Sequence, residues 1–171
     1  MDDPYIVDII EHLPTLTKLA NEVKHVTEFG VRTGNSTRAF LEANIDKLIS
    51  YDIYDFVGID DPRFEFKKES SLDTDIEETD LLMIDTEHVY KQLIAELSRH
   101  HSRVKKYIIL HDTVTFGKVG SDGGEGLLKA VREFLVDNKD WYIYRHYKNC
   151  NGLMVLRKKQ SRGRHITSNI P

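Results

Sequence analysis

Short apolar runs alternate with amphipathic stretches along most of the chain. Five runs that each end in a carboxylate or a glycine are predicted to be strands, and they cover residues 25–30, 47–52, 64–69, 81–85 and 107–112. Apolar residues at helical spacing follow the first, fourth and fifth runs, over residues 35–43, 88–101 and 125–138. This alternation of strand and helix is typical of an α/β protein with a parallel sheet.

The two ends of the chain complete this plan. Near the start, apolar residues at three- and four-residue intervals predict a helix over residues 4–23, with a break near Pro14. Near the end, the apolar runs 141–147 and 153–158 flank a turn that contains asparagine and glycine. Such a pair of runs predicts an antiparallel hairpin.

We therefore expect one domain over residues 1–160, followed by a flexible tail over residues 161–171. The expected architecture is doubly wound and Rossmann-like, with three layers (αβα). The middle layer is a mostly parallel, seven-stranded sheet that carries one reversed strand of the hairpin at its edge. Only the crossover over residues 53–63 is too short for a full helix, so one helix is expected to be reduced or absent.

Composition excludes several classes of protein. The net charge of −4 argues against non-specific binding to nucleic acid, which requires a broad basic surface. The single cysteine, Cys150, excludes an internal disulfide and a cysteine-rich zinc site. We see neither a run of about 18 apolar residues that could span a membrane nor a secretory leader, so we expect a cytoplasmic protein.

Acidic side chains stand at the ends of four predicted strands. They are Asp52, Glu69, Asp85 and Asp112, while the first strand ends at Gly30. Because the carboxyl ends of parallel strands meet at one edge of the sheet, we expect these residues to border a ligand site there. Capping of the following helices or turns is the alternative role for such acids.

The segment 28–37, with the sequence EFGVRTGNST, predicts a turn that approaches a ligand closely. Gly30 and Gly34 allow a sharp turn out of the first strand, and Ser36 with the following helix offers hydrogen-bond donors. The spacing is neither the dinucleotide fingerprint nor the Walker phosphate loop. Together with Asp52, which could accept both hydroxyls of a sugar, it indicates a ligand that contains ribose.

Several motifs together resemble class I S-adenosylmethionine-dependent methyltransferases. They are E-x-G-x-x-x-G-x-S at 28–36, the acid at Asp52, the pair Glu69-Ser70, DLLMIDTEHVY at 80–90 and YIILHDT at 107–113. The chain is most similar to the small O-methyltransferase branch, which includes catechol and caffeoyl-CoA methyltransferases and the relatives of cephalosporin hydroxylase and macrocin methyltransferase. The likeness covers residues 25–157 and implies a Rossmann-like fold.

The resemblance implies roles for the residues of the cofactor site. Around the methionine end of S-adenosylmethionine it would place Glu28, Gly30 and Gly34, and Ser36 and Asp85 would also contact the cofactor. Asp52 would hold the ribose, and Glu69 and Ser70 would flank the adenine.

The resemblance also implies the reactive groups. His88 would be the catalytic base beside Asp85, and Asp85 and Asp112 would bind a divalent metal. His111 stands where many metal-using relatives carry a second carboxylate, so magnesium, a softer divalent ion and no ion all stay open.

The expected activity is methylation of a hydroxyl of a small molecule or sugar. We expect a small-molecule substrate, no nucleic acid and no membrane as partners, and the resemblance leaves a homodimer open. Two other functions stay open: a cofactor-binding module of the same fold without catalysis, and a metal-dependent hydrolase in which His111 and Asp112 activate water.

Overall fold

The computed structural model describes residues 8–160. Seven strands form one sheet, and they are β1 (His25–Phe29), β2 (Lys47–Asp52), β3 (Phe64–Lys68), β4 (Thr79–Ile84), β5 (Val104–Leu110), β6 (Trp141–Tyr147) and β7 (Leu153–Lys158). The helices are α1 (Leu13–Ala20), α2 (Asn35–Leu41), α3 (Tyr90–His100) and α4 (Leu127–Asp137). Short 3-10 turns precede α1 at Ile10–His12 and follow α3 at His101–Arg103.

The strands lie in the order β3-β2-β1-β4-β5-β7-β6. Strands β1 to β5 pair in parallel, and β7 runs antiparallel to both of its neighbours, β5 and β6. The mostly parallel, seven-stranded sheet is therefore confirmed. The reversed strand, β7, was predicted at the edge of the sheet, but it lies between β5 and β6. Its apolar run Leu153–Leu156 is buried and requires cover that only an interior position provides.

Helices cover both faces of the sheet and give the three expected layers. On one face, α1 and α2 pack on a core that includes Leu48, Met83 and Ile109. On the other face, α3 and α4 pack on a core that includes Leu82 and Ile108. Neighbouring residues of β4 and β5 thus enter opposite cores, which explains why both runs are continuously apolar.

The two crossovers that precede and follow β3 lack a helix. The expected absence of a full helix over residues 53–63 is confirmed, and residues 69–78, which connect β3 to β4, also contain none. The expectation of a single short crossover was therefore wrong. Ile76 of the second segment contributes to the core beside α3, so an irregular chain covers part of this face.

The N-terminal helix is shorter than predicted. The structure places a 3-10 turn at Ile10–His12 and α1 over Leu13–Ala20, whereas the prediction was a helix over residues 4–23 with a break near Pro14. The change from the 3-10 turn to α1 lies directly before Pro14, where the break was predicted, and Pro14 is in the first turn of α1, where its missing N–H would have had no partner within the helix. Residues 4–7 and the predicted tail over 161–171 lie outside the described residues.

Between residues 8 and 160, no helix is long and apolar enough to cross a membrane.

The buried face of α2 gives a stability test. Phe40 is fully buried against α1 and the sheet, so we expect Phe40→Ala to lower the free energy of unfolding by about 3–5 kcal/mol. Val57 is 87% exposed, and Val57→Ala should change the free energy of unfolding by no more than about 0.5 kcal/mol. Urea denaturation measures both variants, and equal effects would contradict the assignment of this core.

Candidate functional site

Two adjoining cavities open at the carboxyl edge of the sheet, beside the point between β1 and β4 where the strand order reverses. The larger cavity has a volume of about 610 Å³, and its walls include Tyr51, Asp52, Glu69, Ser70, Thr86 and Gln92. The smaller cavity has a volume of about 280 Å³, and its walls include Asp8, Arg32, Asn35, Ser36, His88 and Asp112. Gly30 and Asp85 line both cavities.

Gly30 lets the ends of β1 and β4 approach each other between the two cavities. Its φ is +87°, and a Cβ atom on it would lie 2.0 Å from the carbonyl oxygen of Asp85. The Asp85 N–H donates to the carbonyl of Phe29 over 2.9 Å and fixes this approach. Any side chain at position 30 would therefore force the two strand ends apart.

Glu28 and Gly34 help to fix the conformation of the turn between β1 and α2. Neither is among the described residues that line the two cavities. Gly34 starts α2 with φ +75°, and a Cβ atom there would lie 2.7 Å from the ring of Phe56. The structure therefore places these two residues behind the cavity walls, and their contact with a cofactor stays a prediction.

The Glu28 carboxyl is fully buried and accepts three hydroxyl hydrogen bonds. Ser36 donates over 2.5 Å, Thr37 over 2.7 Å and Ser50 over 2.6 Å. Burial disfavours the charged carboxylate more strongly than these donors favour it, and it raises the pKa of Glu28 to about 7. Glu28 thus positions Ser36, which does line the smaller cavity.

Asp52 combines a place in the wall of the larger cavity with a structural role. Its carboxylate accepts backbone N–H groups from Val31 over 2.8 Å, from Arg32 over 3.1 Å and from Tyr54 over 2.9 Å. These contacts hold the turn after β1 against the end of β2. Oδ2 accepts from both Val31 and Arg32, which uses its two lone pairs, whereas Oδ1 accepts from Tyr54 and retains one.

The wall of the larger cavity also contains polar residues that the sequence patterns did not predict as site residues. Glu69 and Ser70 line it, and Ser71, Thr86 and Gln92 line it as well. Gln92 lies on α3, so no strand-end pattern could identify it. For the smaller cavity, Asp8 has no strand-end signal, whereas Arg32 and Asn35 lie in the segment 28–37 that was predicted to approach a ligand, although neither was itself singled out.

Two histidines and two carboxylates form a cluster where β4 and β5 end. His88 Nε2 lies 2.8 Å from Asp112 Oδ2 and 3.4 Å from Asp85 Oδ1. His111 Nδ1 lies 3.3 Å from Asp85 Oδ2 and 3.4 Å from Asp112 Oδ2. The ring of Phe116 stacks on His88, with 4.8 Å between the ring centroids, and fixes the plane of that imidazole.

The charges of this cluster balance. Burial disfavours both imidazolium ions, but the two carboxylates outweigh it and raise the pKa of His88 to about 9 and that of His111 to about 11. The histidines in turn hold the pKa of Asp85 and of Asp112 below the ordinary value despite burial. His88 therefore carries a proton at neutral pH in this arrangement, which differs from the free base that the sequence predicted.

Asp85, His111 and Asp112 fit the requirements of a cation site. One ligand atom from each lies within 4.8 Å of the others. His111 Nε2 donates toward the carbonyl oxygens of Asp8, at 3.1 Å, and Cys150, at 3.2 Å, so Nδ1 faces the two carboxylates. Among residues 8–160, His111 Nδ1 and Asp112 Oδ1 are buried without a hydrogen-bond partner.

A neutral His111 would direct the lone pair of Nδ1 at two negative carboxylates. Either a proton on Nδ1 or a cation among the three side chains removes this conflict. One imidazole nitrogen with carboxylate oxygens suits manganese, iron or zinc as well as the harder magnesium ion.

Solved structures share the architecture of this chain, although no protein-family model and no curated protein sequence matches it. The N-methyltransferase NodS from Bradyrhizobium japonicum WM9, in complex with S-adenosyl-L-homocysteine, superimposes with a TM-score of 0.67 at 13% identity, over 94% of each chain. The Podospora anserina methyltransferase PaMTH1, with bound SAH, gives 0.62 at 14% identity, over 87% of this chain and 78% of that one. A proposed caffeoyl-CoA O-methyltransferase from Staphylococcus aureus gives 0.61 at 15%, over 92% and 85%.

The chain has the Rossmann-like methyltransferase fold. At these identities the similarity extends to the fold alone. Which residues bind a cofactor or act on a substrate must therefore be argued from the geometry of this chain.

The buried carboxyl of Glu28 predicts a specific dependence of stability on pH. Its pKa of about 7 in the folded protein exceeds the ordinary 4.5, so its contribution is favourable below about pH 4.5 and is lost as the pH rises through about 7. Relative to Glu28→Gln, the free energy of unfolding of the wild type should fall by about 3 kcal/mol over this range.

Urea denaturation at about pH 5 and about pH 8 measures this difference. Glu42→Gln provides a control on the exposed surface. If the wild type and Glu28→Gln change stability in parallel with pH, the buried carboxyl does not titrate as described.

Proposed function

We propose that this chain is an S-adenosylmethionine-dependent methyltransferase that acts on a hydroxyl oxygen of a small molecule or sugar. The observation that carries the proposal is the pair of adjoining cavities at the strand-order reversal of a methyltransferase fold. Asp52 lines one cavity, His88 and Asp112 line the other, and Asp85 lines both.

In this proposal the larger cavity takes the adenosyl part of the cofactor. Its volume of about 610 Å³ lies within the usual range for small-molecule sites, about 300–1,000 Å³. Asp52 would accept a ribose hydroxyl with the Oδ1 lone pair that the backbone leaves available, and Glu69 and Ser70 would border the adenine. S-adenosylmethionine supplies, when bound, a methyl group on a positively charged sulfur that an oxygen nucleophile can displace.

The smaller cavity would hold the methyl acceptor. Its volume of about 280 Å³ suits a small molecule, and Arg32, Asn35 and Ser36 make its wall polar. Such a wall favours an acceptor with several hydrogen-bonding groups, such as a sugar. Because Gly30 and Asp85 line both cavities, the acceptor and the reactive end of the cofactor would meet beside them.

The acceptor hydroxyl must lose its proton as the new oxygen–carbon bond forms and the sulfur–carbon bond breaks. We assign this proton to the Asp85 carboxylate, because the protonated His88 has no free nitrogen to accept it. The His88 imidazolium, 3.4 Å from Asp85, passes a proton on to solvent. The positive charge of His88 favours the ionised form of a nearby hydroxyl. About 30% of the His88 side chain is exposed, which gives the proton a route to solvent.

Asp85, His111 and Asp112 would hold a divalent metal ion in the same proposal. The buried Asp112 Oδ1, which has no hydrogen-bond partner among residues 8–160, and the mixed nitrogen and oxygen chemistry of the three side chains support this assignment. When bound there, the ion would supply positive charge that lowers the pKa of the acceptor hydroxyl.

Calorimetric titration with S-adenosylhomocysteine tests the cofactor site. We expect micromolar binding by the wild type and at least ~10-fold weaker binding by Asp52→Asn, which loses the charge that strengthens the ribose hydrogen bond. The asparagine oxygen can replace Oδ2 as the acceptor from Val31 and Arg32, but its NH2 group then faces the Tyr54 N–H, so a thermal unfolding curve is recorded to show that the variant is folded.

Asp46→Asn, an exposed substitution outside both cavities, is the matched control and should bind like the wild type. A folded wild type that does not bind S-adenosylhomocysteine contradicts the proposed function.

Titration with Mn²⁺ and Mg²⁺ tests the metal site. We expect tighter binding of Mn²⁺, because His111 provides a nitrogen ligand, and at least ~10-fold weaker binding by Asp112→Asn. The exposed carboxylate of Asp137 provides the control, Asp137→Asn. Failure of both ions to bind would remove the metal from the proposal and leave His88 and His111 as the source of positive charge.

A further inference from the structure

A second buried polar cluster lies behind the part of the larger cavity that Ser71, Thr86 and Gln92 line. Its centre is Glu96 on α3, which is fully buried. A single oxygen of Glu96, Oε1, accepts hydrogen bonds from Ser71 Oγ over 2.6 Å, from Thr86 Oγ1 over 2.7 Å and from Gln92 Nε2 over 2.9 Å. We call these four residues the Glu96 cluster. Glu96 Oε2 is buried and has no hydrogen-bond partner among residues 8–160.

Ser71, Thr86 and Gln92 face Glu96 on one side and line the larger cavity on the other. A hydroxyl has one hydrogen, so Ser71 and Thr86, which donate to Glu96, have only acceptor lone pairs left for a ligand. Gln92 Nε2 donates to Ser71 Oγ over 3.2 Å as well as to Glu96, which uses both amide hydrogens. The side-chain carbonyl oxygen of Gln92, an acceptor, is then the group that remains for a ligand.

Glu96 thereby fixes the polarity of this wall. Without an acceptor behind them, the hydroxyls could turn and present hydrogens to the cavity. With Glu96 in place, the wall offers acceptors to a ligand and no donor from these three side chains.

We propose that Glu96 determines the selectivity of the cofactor cavity for a base with an exocyclic amino group, adenine, over its 6-oxo counterpart, hypoxanthine. This inference rests on the proposed function. The amino group of adenine donates to acceptors, whereas the 6-oxo group of hypoxanthine is an acceptor and would face other acceptors. Opposed acceptors leave polar groups unpaired, which is how a site rejects a ligand of nearly equal shape.

The proposal does not depend on the ionisation of Glu96. Burial raises the pKa of this carboxyl above its ordinary value in spite of its three donors. Oε1 accepts hydrogen bonds in the ionised carboxylate, and equally in a neutral acid that carries its proton on Oε2.

Calorimetric titration with S-adenosylhomocysteine and S-inosylhomocysteine measures the selectivity directly. For the wild type we expect the adenine compound to bind about 10- to 100-fold more tightly. Glu96→Gln retains an amide oxygen for the three donors and should keep this ratio. Glu96→Met has a similar size but no acceptor, and it should reduce the ratio at least ~10-fold by letting the hydroxyl hydrogens turn toward the cavity.

Glu96→Met leaves three donors without a partner and could unfold the protein, so Ser71→Ala provides a second test. This variant removes one acceptor from the wall, and it should weaken binding of the adenine compound more than binding of the inosine compound. Glu22→Met is the matched control, because Glu22 also accepts a hydroxyl hydrogen bond, from Tyr107 over 2.8 Å, but lies outside both cavities.

Each outcome decides one question. Equal affinity of the wild type for the two compounds overturns the selectivity, and an unchanged ratio in both Glu96→Met and Ser71→Ala overturns the role of the Glu96 cluster. A folded wild type that binds neither compound overturns the proposed function itself. A ratio that is lost in these variants and retained in Glu96→Gln and Glu22→Met supports the inference.

Discussion

The close approach of β1 and β4 at their carboxyl ends is the constraint on which the candidate site depends. The carbonyl oxygen of Asp85 occupies the space that a side chain at Gly30 would need. This contact brings the turn after β1 and the end of β4 together at the point where strand order reverses. It also makes Asp85 a shared wall, so a donor in one cavity and an acceptor in the other would need only a short distance between them.

The acids in and behind the candidate site are stabilised by four different means. Hydroxyl groups surround Glu28, backbone N–H groups surround Asp52, and histidines face Asp85 and Asp112. Glu96, deeper in the protein, is held by a mixture of hydroxyl and amide donors. Because each carboxyl has its own compensation, the edge can carry many acids without mutual repulsion dominating its stability.

Local patterns predicted the elements well where burial follows directly from the sequence, and less well where it depends on distant partners. The position of β7 inside the sheet and the irregular crossover over residues 69–78 depend on which surfaces meet, and neither has a local signal. Asp52 and Asp85 were found because parallel strands bring their ends to one edge. Gln92 was missed because it reaches the same cavity from the side of a helix, and the charged state of His88 depends on neighbours that only the fold assembles.

The support of His111 joins parts of the chain that are made at very different times. Its ring nitrogen faces the carbonyl of Asp8 near the start of the chain and that of Cys150 in the turn between β6 and β7. During synthesis the imidazole is made well before one of the two carbonyls that fix it, so the histidine–aspartate cluster cannot be complete until residue 150 has left the ribosome.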